Sequence, residues 1–360
     1  MFKVKQCAVC GAAVERQSDD DGVRFYCATC FHFEKDARGV ISYAGYVLPE
    51  LQVQGLRGQV DFMTRGLPAD AKVFELGVSD GVLARALRQA CSIARYDGIE
   101  LSERTAGASH VTDSLFTTPL ETIPLDERLR HAPYDLVVMS HVLEHIRDVS
   151  GTIEMLRPLT GRTGRLFIEV PNRTGHPAVD MDQNWLHHHS FSATSLIVLL
   201  QRHGYETLQV ETGAFHDPRY SDSLRVLAAS ARPPGSAHRP FISDELRRRG
   251  IDSIAVWGAG LQTFELLLPY TDASIIACFI DSGPSKQGTV VAGKPVFAPE
   301  RLVIQRGTVV LINTLDYERE IRERIERDFM PYVKEIVCLS EILQSEHRRA
   351  FATLPGGVGN

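Results

Sequence analysis

Two features common in other protein classes are missing from this 360-residue sequence: long apolar runs and an apolar opening segment. The longest wholly apolar runs, such as Leu196 to Leu200 and Ile275 to Ile280, are far shorter than the roughly 20 residues that cross a bilayer. The first ten residues are polar and already contain two cysteines, which is unlike a secretory signal segment. We therefore expect no membrane span and a cytoplasmic location.

The sequence also lacks an excess of basic charge. It has 39 lysine and arginine residues against 45 aspartate and glutamate residues, a formal net charge of −6. Because phosphate contacts require a basic face, this balance argues against a nucleic-acid partner. The apolar and charged fractions, 44% and 23%, are those of a globular protein and exclude global disorder. A chain of this length predicts two or three domains.

Cysteine is concentrated at the N-terminus, where four of the seven cysteines form two C-x2-C pairs. Cys7 with Cys10, and Cys27 with Cys30, have a spacing typical of a structural zinc site. Three aspartates and a glycine between the pairs predict the tip of a β-hairpin. We expect a zinc ribbon over residues 1–40, whose four thiolates leave no open position on the Zn²⁺ ion. A redox dithiol and two unrelated cysteine pairs are the alternatives.

A doubly wound α/β domain is predicted after a connecting helix at residues 41–66. An apolar strand pattern at 71–76 runs into a turn with Gly77 and Gly81, and then into an amphipathic helix. Backbone N–H groups at such a helix start suit an anionic group. The next strand ends at Glu100, where a carboxylate can accept both ribose hydroxyls of a nucleoside. Further strands of this sheet are predicted at residues 134–140 and 164–172.

Four motifs of residues 67–212 resemble, in order and spacing, those of class I S-adenosylmethionine-dependent methyltransferases: ELGVSDG, GIELSE, YDLVVMSHVLEH and GRLFIEVPN. The resemblance implies that S-adenosyl-L-methionine is the cofactor. It implies that Glu100 holds the ribose and that His141 faces the boundary between cofactor and substrate. The other implied contacts are Glu75, Gly77 and Gly81 at the methionine end, and Asp113 and Ser114, after the third strand, beside the adenine. Ser79 stands where the family often has glycine, and a doubly wound domain without cofactor is the alternative.

Three consecutive histidines, His187 to His189, precede a predicted helix at 193–203. Sugar and glycan methyltransferases often carry a histidine four residues before the phenylalanine of an F-[ST] pair that caps this helix, and His187 matches that position. The resemblance implies that His187 is a catalytic base or acceptor contact, with His188 and His145 as further catalytic candidates. An imidazole suits a proton transfer that accompanies methyl transfer, because its ordinary pKa lies near neutrality. The alternative is that these histidines cap the helix and pack against it.

A smaller Rossmann-like α/β domain is predicted in the C-terminal part. Gly258 and Gly260 follow an apolar strand, and Asp281 ends the next strand, as in half of a dinucleotide-type fold. The third glycine of the nucleotide fingerprint is absent, so whether this turn binds a nucleotide is left open. The expected boundaries are a linker at 213–242, a domain at 243–345 and a tail at 346–360.

The three-part order resembles bacterial deoxysugar C-methyltransferases, which have a zinc-binding N-terminus, a methyltransferase core and a Rossmann-like C-terminal domain. It implies a small-molecule sugar or nucleotide-sugar substrate in glycan or natural-product sugar biosynthesis. Those enzymes carry a Tyr-His-x-Glu-His block, whereas Asn184, Trp185 and Leu186 precede His187 here. Because carbon methylation needs a base and enolate stabilisation, this departure favours methylation of a hydroxyl. Carbon methylation of a nucleotide-linked keto-deoxysugar and a non-catalytic scaffold are the alternatives, and the oligomeric state is open.

Overall fold

The computed structural model describes two compact units, divided at residues 232 and 233. The described residues do not include the expected tail at 346–360, the segment Asn184 to Leu186 before the histidines, or residues 41–52 of the expected connecting helix. No helix within the described parts is long and apolar enough to cross a bilayer. The described residues are 5–19, 22–35, 53–102, 105–172, 187–213, 223–230, 240–260, 262–304, 307–343 and 345.

The strands and helices follow the apolar runs of the sequence. The strands in the described residues are β1 (Glu15–Asp19), β2 (Gly22–Cys27), β3 (His32–Lys35), β4 (Ala71–Leu76), β5 (Ile93–Ile99), β6 (Ser114–Phe116), β7 (Leu136–Ser140), β8 (Arg165–Pro171), β9 (His189–Ser190), β10 (Tyr205–Gly213), β11 (Ser223–Ser230), β12 (Ile254–Trp257), β13 (Ile276–Ile280), β14 (Val290–Val291), β15 (Lys294–Phe297), β16 (Thr308–Ile312) and β17 (Val333–Cys338). The α-helices there are α1 (Val53–Thr64), α2 (Val82–Ala90), α3 (Thr105–Ser109), α4 (Leu125–Leu129), α5 (Val149–Thr160), α6 (Ala193–Arg202), α7 (Phe241–Arg248), α8 (Arg301–Ile304) and α9 (Glu318–Asp328).

A four-stranded antiparallel sheet, in the order β1-β2-β3-β9, surrounds the N-terminal cysteines. Its first two strands form the predicted hairpin, in which Asp19 pairs with Gly22. The fourth strand comes from the histidine block, because Phe33 of β3 pairs with Ser190 of β9. The ribbon is therefore completed by a strand that lies far from it in sequence.

The central sheet has seven strands in the order β10-β11-β8-β7-β4-β5-β6. Strands β8, β7, β4, β5 and β6 are parallel to one another, and β11 runs antiparallel to both of its neighbours, β8 and β10. Apolar side chains fill the layer between this sheet and its helices, with Val73, Leu136 and Phe167 packed beside Leu87 of α2. Because parallel strands end at one edge, the carboxyl ends of β4, β5, β7 and β8 lie together there.

One predicted boundary is wrong. The linker expected at 213–242 contains strand β11, which pairs with β8 through Leu224 opposite Val170 and Val226 opposite Ile168. Proline and glycine on both sides of this strand dominated the local composition, but its residues from Ser223 to Ala228 are all buried. β11 is paired on both sides, with β10 and with β8, so interactions beyond the local sequence stabilise it.

The second unit is a six-stranded sheet in the order β14-β15-β13-β12-β16-β17. Its strands run parallel except for β14, which forms an antiparallel edge with β15. Trp257 at the end of β12 is buried and packs edge to face on Phe329, with ring centroids 6.1 Å apart. The two strands expected before Gly258 and before Asp281 are thus present in one α/β sheet.

Candidate active site and metal centre

The turn after β4 requires glycine at two positions. Gly77 and Gly81 have φ angles of +80° and +79°, in the left-handed region that glycine adopts without strain. A Cβ atom on Gly77 would lie 2.5 Å from Cγ2 of Val142, and one on Gly81 would lie 2.4 Å from Cγ2 of Val111. The turn leads directly into α2, so it brings bare backbone to the carboxyl edge of the sheet at a helix start.

Glu100 lies beside this turn, at the end of β5. One carboxylate oxygen accepts a short hydrogen bond from the backbone N–H of Ser79, and the other accepts one from the N–H of Ser102 at 2.7 Å. The residue is 7% exposed. These two bonds fix the carboxylate next to the glycine turn, and each oxygen retains a further lone pair for a hydroxyl donor.

Glu75 occupies a different environment, beneath the turn. It is 2% exposed, and its carboxyl group accepts a 2.7 Å hydrogen bond from the hydroxyl of Tyr96. Burial raises the pKa of Glu75 to about 8, against the opposing effect of the Tyr96 hydrogen bond. At neutral pH the protonated form therefore predominates.

Asp113 and Ser114 do not lie where the sequence placed them. Asp113 precedes β6 and Ser114 begins it, level with Asp97 of β5, so both lie at the amino end of the strand and not after it. The carboxylate of Asp113 accepts hydrogen bonds from the Tyr96 backbone N–H and the Arg88 guanidinium, each at 2.7 Å. The expectation that they follow the third strand is wrong, because that strand, β6, begins only at Ser114.

The residues that do follow β6 at the carboxyl edge are Thr117 and Thr118, and both are exposed. Phe116 accepts a 3.0 Å backbone hydrogen bond from the N–H of Glu100, which holds the two strand ends level. The sequence signal that could have identified them is the polar pair that directly follows the apolar strand residues.

His141 follows β7 with a left-handed backbone, at φ +52°. Its Nδ1 lies 3.4 Å from Oε1 of Glu144, and its Nε2 lies 3.6 Å from Oε1 of Glu169. Burial disfavours the charged imidazole, but the two neighbouring carboxylates outweigh it and raise the pKa of His141 to about 10. His141 is therefore a charged group at the carboxyl edge.

A cluster of ionisable side chains forms next to His141. Glu144 and His145 lie on the single 3₁₀ turn Leu143–His145. The ring of His187 reaches this turn, and its centroid lies 4.7 Å from that of His145. One ligand atom from each of Glu144, His145 and His187 lies within 4.8 Å of the others. The sequence proposed His145 and His187 separately; the fold brings them together.

The other two histidines of the block are involved in packing. The backbone N–H of His188 donates to the carbonyl of Glu144 at 2.8 Å, and burial lowers the pKa of the His188 ring to about 4. His189 lies 3.0 Å from the ring nitrogen of His32 and 3.1 Å from the carbonyl oxygen of Arg147. His189 therefore packs against strand β3 through the ring of His32.

Sequence analysis did not identify the buried ion pair of Glu169 and Arg225. The guanidinium Nε of Arg225 donates to Oε2 of Glu169 at 2.8 Å, and both side chains are buried. The amide of Gln59 donates to the same oxygen at 2.9 Å and to the hydroxyl of Ser140 at 2.7 Å. This network fixes Glu169 opposite His141, and it was missed because Arg225 fell in the expected linker.

The four N-terminal cysteines converge in one buried cluster. The sulfurs of Cys7 and Cys30 lie 3.7 Å apart, those of Cys10 and Cys27 lie 3.4 Å apart, and all four lie within 4.8 Å of one another. These distances are too long for a disulfide, whose sulfurs lie about 2.05 Å apart. They are close to the edges of a tetrahedron with metal–sulfur bonds of about 2.3 Å. The cluster is compatible with a zinc site.

In the second unit, Asp281 is already engaged at the predicted glycine turn. Its carboxylate accepts the N–H of Ala259 at 2.9 Å and the N–H of Gly283 at 2.8 Å. Lys286 lies 3.1 Å from the same group. Gly258 has φ +117°, so the turn needs glycine there. The carboxylate bridges two loops of its own unit.

Comparison with known proteins identifies the central part of the chain. Residues 52–210, somewhat less than half of the chain, match the family model described as "Methyltransferase domain". No curated protein matches the sequence.

Solved structures to which the chain is similar include three methyltransferases. A putative S-adenosylmethionine-dependent methyltransferase from Listeria monocytogenes is 18% identical, with 50% of this chain and 100% of that chain covered and a TM-score of 0.39. Magnesium protoporphyrin IX methyltransferase from Synechocystis PCC 6803 is 18% identical, with 52% and 88% covered and a TM-score of 0.37. The N-methyltransferase NodS from Bradyrhizobium japonicum WM9 is 16% identical, with 49% and 87% covered and a TM-score of 0.39. On the match to the family model, residues 52–210 of the chain are a methyltransferase domain.

Proposed function

We propose that this enzyme methylates a hydroxyl group of a sugar or nucleotide sugar, in glycan or natural-product sugar biosynthesis in the cytoplasm. The observation that carries the proposal is the common position of two features at one edge of the central sheet. The glycine turn with Glu100 follows β4 and β5, and the cluster of Glu144, His145 and His187 follows the adjacent strand β7. The sugar acceptor is supported by the three-part order of the sequence.

Donor binding is assigned to the carboxyl edge of β4 and β5. Glu100 is proposed to accept the ribose hydroxyls, because its two oxygens are fixed by backbone N–H groups and keep lone pairs free. The backbone at Gly77 and Gly81 allows close approach of the methionine portion. Glu75 supports the turn from below through Tyr96. His141 is proposed to face the boundary between donor and acceptor.

Thr117 and Thr118 replace Asp113 and Ser114 as the proposed residues beside the adenine. They follow β6 at the same edge as Glu100, whereas Asp113 is bound to Arg88 at the opposite edge. Ligands of doubly wound sheets bind outside the carboxyl ends of the strands, which is where the two threonines lie.

The acceptor side is assigned to the imidazoles of His187 and His145, with His188 behind them. S-Adenosyl-L-methionine supplies an electrophilic methyl group, and the acceptor oxygen forms a bond to that carbon as the carbon–sulfur bond breaks. The protein aligns the acceptor and receives its proton at an imidazole nitrogen. A positioned base of this kind typically contributes about 10²–10⁴-fold. Glu144, buried beside both rings, stabilises the imidazolium that forms.

Zinc is proposed to occupy the four-cysteine cluster of Cys7, Cys10, Cys27 and Cys30 as a structural ion. Four thiolates fill a tetrahedral coordination sphere and leave no position for substrate. A ribbon of this size buries too little apolar surface to fold alone, so metal binding contributes to its folding. Because β9 pairs with β3, the ion also stabilises the segment that carries the histidines.

Two measurements test the proposed function. Calorimetry with S-adenosyl-L-methionine is expected to show binding to the wild-type protein and much weaker binding to Glu100→Ala. A mass-spectrometric screen of nucleotide sugars and glycan fragments is then expected to show a gain of one methyl group on oxygen. Absence of donor binding by the intact protein would favour a non-catalytic scaffold. Loss of deuterium from an acceptor carbon during turnover would show carbon methylation and refute the hydroxyl assignment.

A further inference from the structure

Glu144 is an unusual residue for a buried position. Its side chain is 1% exposed, and neither carboxylate oxygen has a hydrogen-bond partner among the described residues. Nδ1 of His141 lies 3.4 Å from Oε1 of Glu144, and this ion pair does not involve Oε2. A buried carboxylate without hydrogen bonds is costly, and such groups in proteins are normally paired or coordinate a metal.

Two imidazoles lie next to this carboxylate. Nε2 of His145 is 4.0 Å from Oε1 of Glu144, and the ring of His187 lies against that of His145 at an angle of 70°. His187 is 1% exposed and is the first described residue of the segment that leads into β9. Two nitrogen donors and one oxygen donor thus converge within 4.8 Å of one another. This set is separate from the four cysteines, which form their own cluster.

We propose that Glu144, His145 and His187 form a second metal site, which binds a divalent first-row transition metal such as Zn²⁺ and coordinates the acceptor through its open positions. Two imidazoles and one carboxylate favour such ions over Mg²⁺ and Ca²⁺, which prefer all-oxygen ligands. Three protein ligands leave at least one coordination position open, in contrast to the closed four-thiolate site. A hydroxyl oxygen of the acceptor is the ligand class that fits this position. With a metal bound, His145 and His187 would act as ligands and not as bases, and the metal would make the coordinated hydroxyl easier to deprotonate. This role in methyl transfer rests on the proposed function, whereas metal binding itself does not.

His141 links the proposed metal site to Glu169 of β8. Glu169, fixed by Arg225 and Gln59, lies 3.6 Å from Nε2 of His141, and the other nitrogen of His141 points to Glu144. Groups in the shell behind metal ligands orient those ligands, and their loss typically weakens metal binding by about 10–100-fold. The chain therefore holds Glu144 through a neighbour that is itself held by a buried ion pair.

Cobalt titration of the full-length protein tests the site. Metal-free, reduced protein is titrated with Co²⁺ alone, because thiolate ligands give strong charge-transfer absorption and nitrogen–oxygen sites give only weak ligand-field bands. The wild-type protein is expected to bind one equivalent with the thiolate signature and a second equivalent without it. In Glu144→Gln and His187→Gln the second equivalent is expected to weaken by more than about 100-fold, since a ligand matters more than its support.

The controls separate metal binding from folding and from catalysis. An intact thiolate band shows that each variant is folded, and His203→Gln, a histidine that bonds to Ser150 outside the cluster, is expected to keep both equivalents. The proposal is overturned if the wild-type protein binds only the thiolate equivalent, or if Glu144→Gln and His187→Gln both retain the second one. Neither donor nor sugar is present in the titration, so failure of the proposed methylation would leave this result unchanged, and the reverse also holds.

Discussion

Replacement of Glu100 by glutamine tests the donor site most directly. The carboxylate can accept both ribose hydroxyls while its oxygens also accept the N–H groups of Ser79 and Ser102. Glutamine keeps one acceptor oxygen and puts an NH₂ group where the second oxygen stood, facing one backbone N–H. A hydrogen bond to a charged group contributes about 1.5–3 kcal/mol, so a loss of about 2–4 kcal/mol is expected. This corresponds to a dissociation constant for S-adenosyl-L-methionine that rises roughly 30- to 700-fold.

Isothermal titration calorimetry with the donor measures this change, and Asp113→Asn provides the matched control. Asp113 also accepts a backbone N–H, from Tyr96, but it lies at the amino end of β6. Its substitution is expected to lower stability by about 1 kcal/mol, through the weakened hydrogen bonds, and to leave donor affinity unchanged. Unchanged donor binding by Glu100→Gln would refute the ribose assignment. Equal weakening by Asp113→Asn would refute the corrected position of the adenine site.

Three further changes have defined outcomes. Gly77→Ala is expected to weaken donor binding, and adding Val142→Ala should restore only part of it. Removing the Val142 side chain relieves the 2.5 Å contact, but the left-handed backbone strain of about 1–2 kcal/mol remains. Full recovery of donor binding in the double variant would contradict this reasoning. For Glu75, burial raises the pKa from 4.5 to about 8, so the folded state retains a proton that the unfolded state has lost, and stability falls as pH rises between these values. Glu75→Gln should remove this fall in the free energy of unfolding, which amounts to up to a few kcal/mol at about 1.4 kcal/mol per pH unit. Urea unfolding at about pH 5 and about pH 8.5 measures it, and an unchanged pH dependence in the variant would contradict the raised pKa of Glu75. Cys27→Ser is expected to lose the ribbon metal and lower the melting temperature, as followed by metal analysis and calorimetry, whereas full metal content would exclude Cys27 as a ligand.

Features with a local pattern were predictable from the sequence. The apolar strand that ends at Glu75 and Leu76, the glycine turn after it and the acid at Glu100 follow one another within one βαβ unit, so their order alone places them at one edge. The two C-x2-C pairs similarly predicted a common cluster, because each turn brings two sulfurs together. In both cases the residues are close in sequence, so their spacing determines how they lie in space.

The tertiary structure decided the features that depend on pairing between distant segments. Strand β11 was hidden by proline and glycine around it, and with it Arg225, the partner of Glu169. The junction of β9 with β3, and the meeting of His187 with Glu144 and His145, also join residues that no local period relates. Periodicity reports which face of an element is buried, but the burial of a short polar segment depends on which neighbours the whole fold provides. The sequence therefore determined the methyltransferase core and the cysteine cluster, and only the packing of the chain determined the composition of the histidine site.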